Sequence, residues 1–123
     1  MIKRFSSATI WSNDLNNLLP FYRDTLGMKT SMESERFVVF GDVTGPIFAL
    51  GSHSDVSGKN GDAARHMVGF DVDDIQGEFQ RLKSEGVEFV EEPADQGDGF
   101  WIATLRDPEG NLVQLFEGTP PAP

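Results

Sequence analysis

Cysteine is absent from the 123 residues. Disulfides are thereby excluded, together with thiolate zinc sites and a cysteine nucleophile. Histidine is nearly as scarce: His53 and His66 are the only two, so a site built from imidazoles has little to draw on. No stretch approaches the roughly 18 apolar residues of a membrane-spanning helix, and the N-terminal MIKRFSSATIWSND lacks the apolar run of a signal peptide. The expectation is a soluble cytoplasmic protein with no membrane partner. Positive charge is short as well, since ten Lys and Arg face twenty Asp and Glu for a net charge of −10. That field repels a phosphate backbone, so nucleic acid is not an expected partner, and it mildly favours a cationic small molecule. The plainer reading is that the acidity only keeps the chain soluble.

What is present is enough apolar material for a core, with 38% hydrophobic residues and ten Phe. A chain of this length is expected to form one domain, small domains commonly running to about 100–150 residues. Its main internal feature is a repeat. Residues 8–27, ATIWSNDLNNLLPFYRDTLG, and residues 68–86, VGFDVDDIQGEFQRLKSEG, follow one plan. Each opens with a period-two strand, Ala8, Ile10 and Ser12 in the first copy and Val68, Phe70 and Val72 in the second. An acidic residue follows, Asp14 or Asp74, suited to accept from the first free amides of a helix. Helical spacing comes next, through Leu15, Leu18, Leu19, Tyr22 and Leu26, and through Ile75, Phe79 and Leu82. Both copies stop at a glycine, Gly27 or Gly86, where a left-handed C-cap needs no Cβ. Pro20 stands inside the first helix and is expected to kink it.

Strand-like segments follow each helix, at 28–33, 36–41 and 46–51, then at 87–91, 100–105 and 111–117. Turn chemistry joins them in GDVTGP, EEPADQGDG and DPEGN, the last a turn with proline at its second position. The polar, glycine-rich 52–64 reads as a mobile linker between a first module at 5–51 and a second at 65–117. The tail 118–123, GTPPAP, reads as disordered. The pattern is β-α-β-β-β, twice.

This doubled plan, with FYRDTLG in the first copy, VGFDVDDIQGEFQRLKSEGVEF in the second and RDPEGNLVQLFE near the end, resembles the vicinal oxygen chelate superfamily. That superfamily includes glyoxalase I, bleomycin-resistance proteins and extradiol dioxygenases, and the resemblance covers about residues 5 to 117. It implies an α+β fold in which two modules form a U-shaped mixed sheet with the helices outside, completed in a homodimer. The same fold hosts many activities. Metalloenzyme members hold a divalent ion with a His or Gln on the first strand, a Glu near the end of the first module, a His opening the second module and a Glu on the last strand. The matching positions here are Ser7, the acid-free PIFALGSH, Met67 and Gln114. A hydroxyl, a thioether and a neutral amide are a poor donor set for Zn²⁺, Ni²⁺ or Fe²⁺. The resemblance thus implies a kept fold without a metal cofactor.

Strand alternation nominates a cleft wall. If Ala8, Ile10 and Ser12 pack under the helices, then Ser7, Thr9 and Trp11 face the cleft. Met67, Gly69 and Asp71 follow by the same rule, with Leu112, Gln114 and Phe116 from the last strand. Large aromatics among small and polar groups suit an organic ligand; Trp11, Met67 and Phe116 could equally fill space or seal a dimer interface. Phe100 and Trp101 are adjacent and must point to opposite faces, and parity does not say which one reaches the cleft. His66 lies one residue from the ligand position, hence on the opposite face of a strand. His53 falls in the linker. Glu117, Asp71 and His53 could move a proton, but no spacing pairs them.

The expectation is therefore a metal-independent, homodimeric small-molecule binding protein resembling bleomycin-resistance proteins. Its ligand would be organic, cationic or aromatic, held by Ser7, Thr9, Trp11, Met67, Asp71, Trp101, Gln114 and Phe116. The rival is a lyase, isomerase or dioxygenase of the same superfamily with an atypical metal site through His66, His53 and Gln114. A module that only dimerises or docks a partner is the third reading.

Overall fold

Alternating residues in SATIWS form β1 (Ser7–Ser12), the first strand of a sheet completed by β2 (Thr30–Glu33), β3 (Phe37–Phe40) and β4 (Ile47–Ser52). The structure, a computed structural model, describes residue 1 and residues 3–120. The chain divides into two units, one ending at Gly58 and one beginning at Lys59. In the first unit the sheet order is β1-β4-β3-β2. β1 runs parallel to β4, and the other pairings are antiparallel. Alternation then fixes two faces: Ala8, Ile10 and Ser12 lie beside Phe48, Leu50 and Ser52, while Thr9 and Trp11 lie beside Ala49 and Gly51.

The first helix is not the continuous amphipathic helix that its spacing predicts. It consists of a 3-10 turn, Leu15–Asn17, and a π-helical segment, Pro20–Thr25. Pro20 has no N–H to continue the ladder from the turn before it. The amides of Phe21 and Tyr22 both donate to the Leu18 carbonyl, and the Leu26 amide reaches back five residues to Phe21. Proline thus changes the pitch rather than merely bending the axis. The expected cap is present, with Asp14 accepting from the Asn16 amide at 3.0 Å, and Gly27 ends the segment at φ 77°. The apolar stripe still does its work: Leu18 and Tyr22 are fully buried, with the Tyr22 ring 5.2 Å from Phe48 and 6.5 Å from Phe40. Each such side chain contributes about 1.5–3 kcal/mol by leaving water. In the turn between β3 and β4, the Asp42 carboxyl accepts from the Thr44 amide at 2.9 Å, which lowers its pKa below the ordinary carboxylate value.

The second unit repeats the plan with β5 (Val68–Asp71), α1 (Ile75–Ser84), β6 (Phe89–Asp95), β7 (Trp101–Arg106) and β8 (Leu112–Glu117). Its sheet order is β5-β8-β7-β6, the same connectivity as in the first unit, with β5 parallel to β8. Both sheets are four-stranded and mixed, and the fold class is α+β. Here the helix is regular. Asp74 accepts from the Gly77 amide at 3.0 Å, and Glu117 of β8 accepts from the Ile75 amide at 2.9 Å. Two of the free amides at the helix start are thereby satisfied. At the other end the Val87 and Gly86 amides bond back to Leu82 and Lys83, with Gly86 at φ 87° in the left-handed region glycine favours. Ile75, Phe79 and Leu82 are buried, and Phe79 meets Phe89 edge-on at 4.8 Å.

β6 outlasts its expected range of 87–91 and runs through Pro93 to Asp95. The reason lies in its place at the sheet edge, where a missing N–H costs no ladder bond, and its register with β7 breaks between Glu91 and Ala94. DPEGN is a turn as expected. The Gly110 amide donates to the Asp107 carbonyl, and the buried Asp107 carboxylate accepts from the Glu109 and Asn111 amides at 2.9 Å. The division between units falls inside the 52–64 stretch. Its later part is fastened rather than free: the Asn60 amide donates to the Glu109 carbonyl, and the Asn60 side chain to Asn111 at 2.9 Å. Of the 118–123 tail, residues 121–123 lie outside the described residues. Among the described residues no helix is long and apolar enough to cross a membrane.

Candidate functional site

Trp11 is the second-last residue of β1, on the face turned away from the helical segments, and it stays 44% exposed. Its register partner on β4 is Gly51. The indole lies directly over that glycine, so that a Cβ at position 51 would fall inside the ring. Two further rings flank it. Phe37, paired with Gly51 from β3, has its centroid 6.2 Å away, and His53 approaches edge-on at 5.7 Å. The outcome is an aromatic shelf of Trp11, Phe37 and His53 with a flat, partly open indole. Ser7 and Thr9 continue the same face of β1, with Ser7 exposed and Thr9 half-buried.

Beside the shelf an open hollow of about 450 Å³ is lined by Asn13, Arg36, Ser52, His53 and Ser54. Its walls are pinned by main-chain bonds. The Ser52 amide donates to the Arg36 carbonyl and the His53 amide to the Ser12 carbonyl, both at 2.9 Å. Behind the wall, Ser12 is fully buried and its Oγ donates to the Asp14 carbonyl while accepting from the Asp14 amide, each at 3.0 Å. His53 Nδ1 accepts from the Asp55 amide at 3.1 Å, which places the neutral ring's proton on Nε2. Among the described residues the Arg36 guanidinium has no carboxylate partner.

The second unit holds a comparable arrangement. Gly69 and Asp71 on β5 lie beside Gln114 and Phe116 on β8, and Thr104 and Ile102 of β7 lie beyond them. The Phe116 ring covers Gly69 and stacks on Phe100, with centroids 5.8 Å apart and 20° between planes. Trp101 does not join this face. Its register partner is Glu117, whose carboxylate caps α1, so the helix side is where Trp101 belongs, and Phe100 supplies the second aromatic instead. Met67 lies outside the paired region, which begins at Val68, so alternation fixes a face neither for it nor for His66. Met67 is 41% exposed.

The metal positions of the resembled superfamily thus hold a hydroxyl on β1, a thioether just before β5 and an amide at the centre of β8. Among the described residues no three His, Cys, Asp or Glu side chains gather at one place. This donor set does not fit a divalent transition metal, which takes three or four imidazole, carboxylate or thiolate donors. His53 belongs to the first unit and His66 to the second. The sequence reading left Phe100 and Trp101 as alternatives, and Arg36, Phe37 and Gly51 escaped it. Their roles come from the register of strands distant in the chain, and only the chemistry of GSH after an apolar strand hinted that the end of β4 opens onto polar groups.

A doubled β-helix-β-β-β unit with parallel outer pairing in each sheet defines the class to which this chain belongs. It is a member of the glyoxalase/bleomycin resistance protein/dioxygenase superfamily, whose family model matches residues 4–115. YraH of Bacillus subtilis, an uncharacterised protein, is 25% identical over 118 residues, covering 85% of this chain and 91% of its own. A superfamily member from Sphaerobacter thermophilus has a solved structure that superposes with a TM-score of 0.74 at 27% identity, covering 95% of this chain and 98% of that one. The lactoylglutathione lyase of Agrobacterium tumefaciens shares the fold at 22% identity and a TM-score of 0.70, with 95% of each chain covered.

Proposed function

We propose that this protein binds a planar organic molecule without a metal ion and acts by sequestering it, as bleomycin-resistance members of the superfamily do. The observation that carries the reading is the Trp11 shelf. An indole laid over a glycine, flanked by Phe37 and His53 and left 44% exposed, offers a flat apolar surface beside a hollow of ligand size. The donor set supports the absence of metal from the binding step: Ser7, Met67 and Gln114 replace the groups that would hold one. Enclosure by an aromatic wall and a few polar groups needs no proton transfer.

Calorimetric titration tests this with naphthamide, a neutral planar probe, on protein freed of metals by a chelator and on untreated protein. Equal binding by both preparations is expected. Binding that disappears on chelation and returns with Zn²⁺, Ni²⁺ or Fe²⁺ would overturn the reading in favour of a metalloenzyme.

A further inference from the structure

We infer that the hollow beside Trp11 is a carboxylate subsite, so that the preferred ligands are aromatic acids. The inference rests on the aromatic-binding reading above and assigns the ligand class. It also reverses the expectation from net charge, which at −10 favours a cation.

The local groups argue for it. All five residues lining the hollow can donate hydrogen bonds: the Arg36 guanidinium, the Asn13 amide, the Ser52 and Ser54 hydroxyls and the His53 ring through Nε2. None of the five is a carboxylate. Arg36 is the one formal charge at the hollow. Other arginines of the chain are engaged, Arg23 with Asp24 and Glu33, Arg65 with Asp62, Arg81 with Glu78 and Glu85, and Arg106 with Glu88. Among the described residues Arg4 and Arg36 take no acidic partner, and of the two it is Arg36 that lines the hollow. Its backbone is not loose, because the Arg36 carbonyl is held by the Ser52 amide at 2.9 Å. The neighbouring Ser34 hydroxyl and amide both bond to the Phe37 carbonyl at 2.9 Å, which fixes the hairpin that presents Arg36.

Geometry then joins the subsite to the shelf. His53 belongs to both, lining the hollow while its ring lies 5.7 Å edge-on from Trp11. A ring lying on Trp11 and reaching past His53 can carry a carboxylate substituent into the hollow, where the Arg36 guanidinium can donate to both oxygens in a fork. Long-range repulsion from the acidic surface is screened within about 8 Å at physiological salt, whereas this contact is direct.

The test compares naphthoate, naphthamide and naphthylmethylamine by calorimetry on the full chain and on Arg36→Gln, with Trp11→Ala as a second variant. Naphthoate should bind about five- to tenfold more tightly than naphthamide, a modest ratio because the guanidinium is exposed. Arg36→Gln should erase that preference by weakening naphthoate several-fold more than naphthamide, and Trp11→Ala should weaken both probes alike. Naphthoate and naphthamide binding equally, the amine binding best, or a naphthoate preference that survives Arg36→Gln would each overturn the carboxylate subsite. In those cases sensitivity to Trp11→Ala keeps the aromatic reading standing. Failure of all three probes to bind at millimolar concentration would overturn both.

Discussion

At Gly51 and Gly69 the missing side chain is what an aromatic ring occupies, Trp11 in one case and Phe116 in the other. The same device therefore appears once in each unit, on the sheet face away from the helices. Its consequence for Trp11 is measurable. Trp11→Ala removes the platform on which a planar ligand stacks, a contact worth about 0.5–1.5 kcal/mol beyond the area buried. Affinity for naphthamide should fall by roughly tenfold or more, taking about 1.4 kcal/mol per decade. The fold should persist, since Ala8, Ile10 and Ser12 on the other face are untouched, and Trp101→Phe separates the two fluorophores in a quenching assay. Affinity unchanged with an unfolded or dissociated protein would make Trp11 a packing residue. Gly51→Ala probes the same contact from below: the new methyl group expels the indole, so ligand binding should weaken although no ligand contact is deleted. Crowding of this kind costs about 1–3 kcal/mol in a packed core and should sit at the low end here, because the exposed indole can swing away. The face of Trp11 was legible from two-residue alternation. The glycine beneath it was not, because register between β1 and β4 spans some 40 residues of chain.

Between elements, the two copies of one plan diverge at a single imino acid. Both helices have the acidic cap and the terminal glycine that their sequences announce, yet only the second is an α-helix. Spacing alone gave the buried stripe of the second helix, Ile75, Phe79 and Leu82, and in the first gave Leu15, Leu18 and Tyr22 but missed the buried Phe21, with Leu19 and Leu26 only half-buried. Periodicity could not show that a proline a turn and a half in would shift the ladder to a longer reach. β6 teaches the converse. Pro93 reads as a strand breaker, but an edge position removes the penalty, and whether a strand lies at an edge is a property of the whole sheet. The caps of α1 carry a prediction at this scale. Asp74→Ala leaves the Gly77 amide without its acceptor and should cost about 1 kcal/mol. For a domain of this size that lowers the melting temperature by about 4 °C. Glu117→Ala, which frees the Ile75 amide from β8, should act in the same direction, and because the two caps serve one helix end their effects should not simply add. Thermal melts of the two single variants and the double variant check this.

Over the whole molecule, composition fixed what the chain can avoid more firmly than what it binds. A protein with no cysteine and two histidines has few ways to hold a transition metal, and the three expected positions carry Ser7, Met67 and Gln114. Elemental analysis of protein purified without chelators should accordingly find far less than one equivalent of Zn²⁺, Ni²⁺ or Fe²⁺ per chain; one equivalent, removable together with an activity, would restore the enzyme reading. Net charge was the weaker guide, because a field summed over the surface does not report an arginine such as Arg36, without an acidic partner among the described residues. The last expectation concerns assembly. Met32 leaves 46% of its surface in water on one unit, and Met67 and Val90 leave 41% and 45% on the other. Met32 pairs with Val39, which pairs in turn with Ala49, so Met32 shares the sheet face of Thr9 and Trp11. A second copy is the natural cover for such apolar groups, and a two-fold pairing lets each copy shield the other with the same surface. Light scattering at micromolar concentration should report twice the 13.6 kDa of one chain. Met32→Glu puts a charge on that face without touching the Arg36 hollow, so it should dissociate the dimer while far-UV circular dichroism stays unchanged. A monomer in the parent protein would count against the assembly, and a dimer indifferent to Met32→Glu would move the interface to another face.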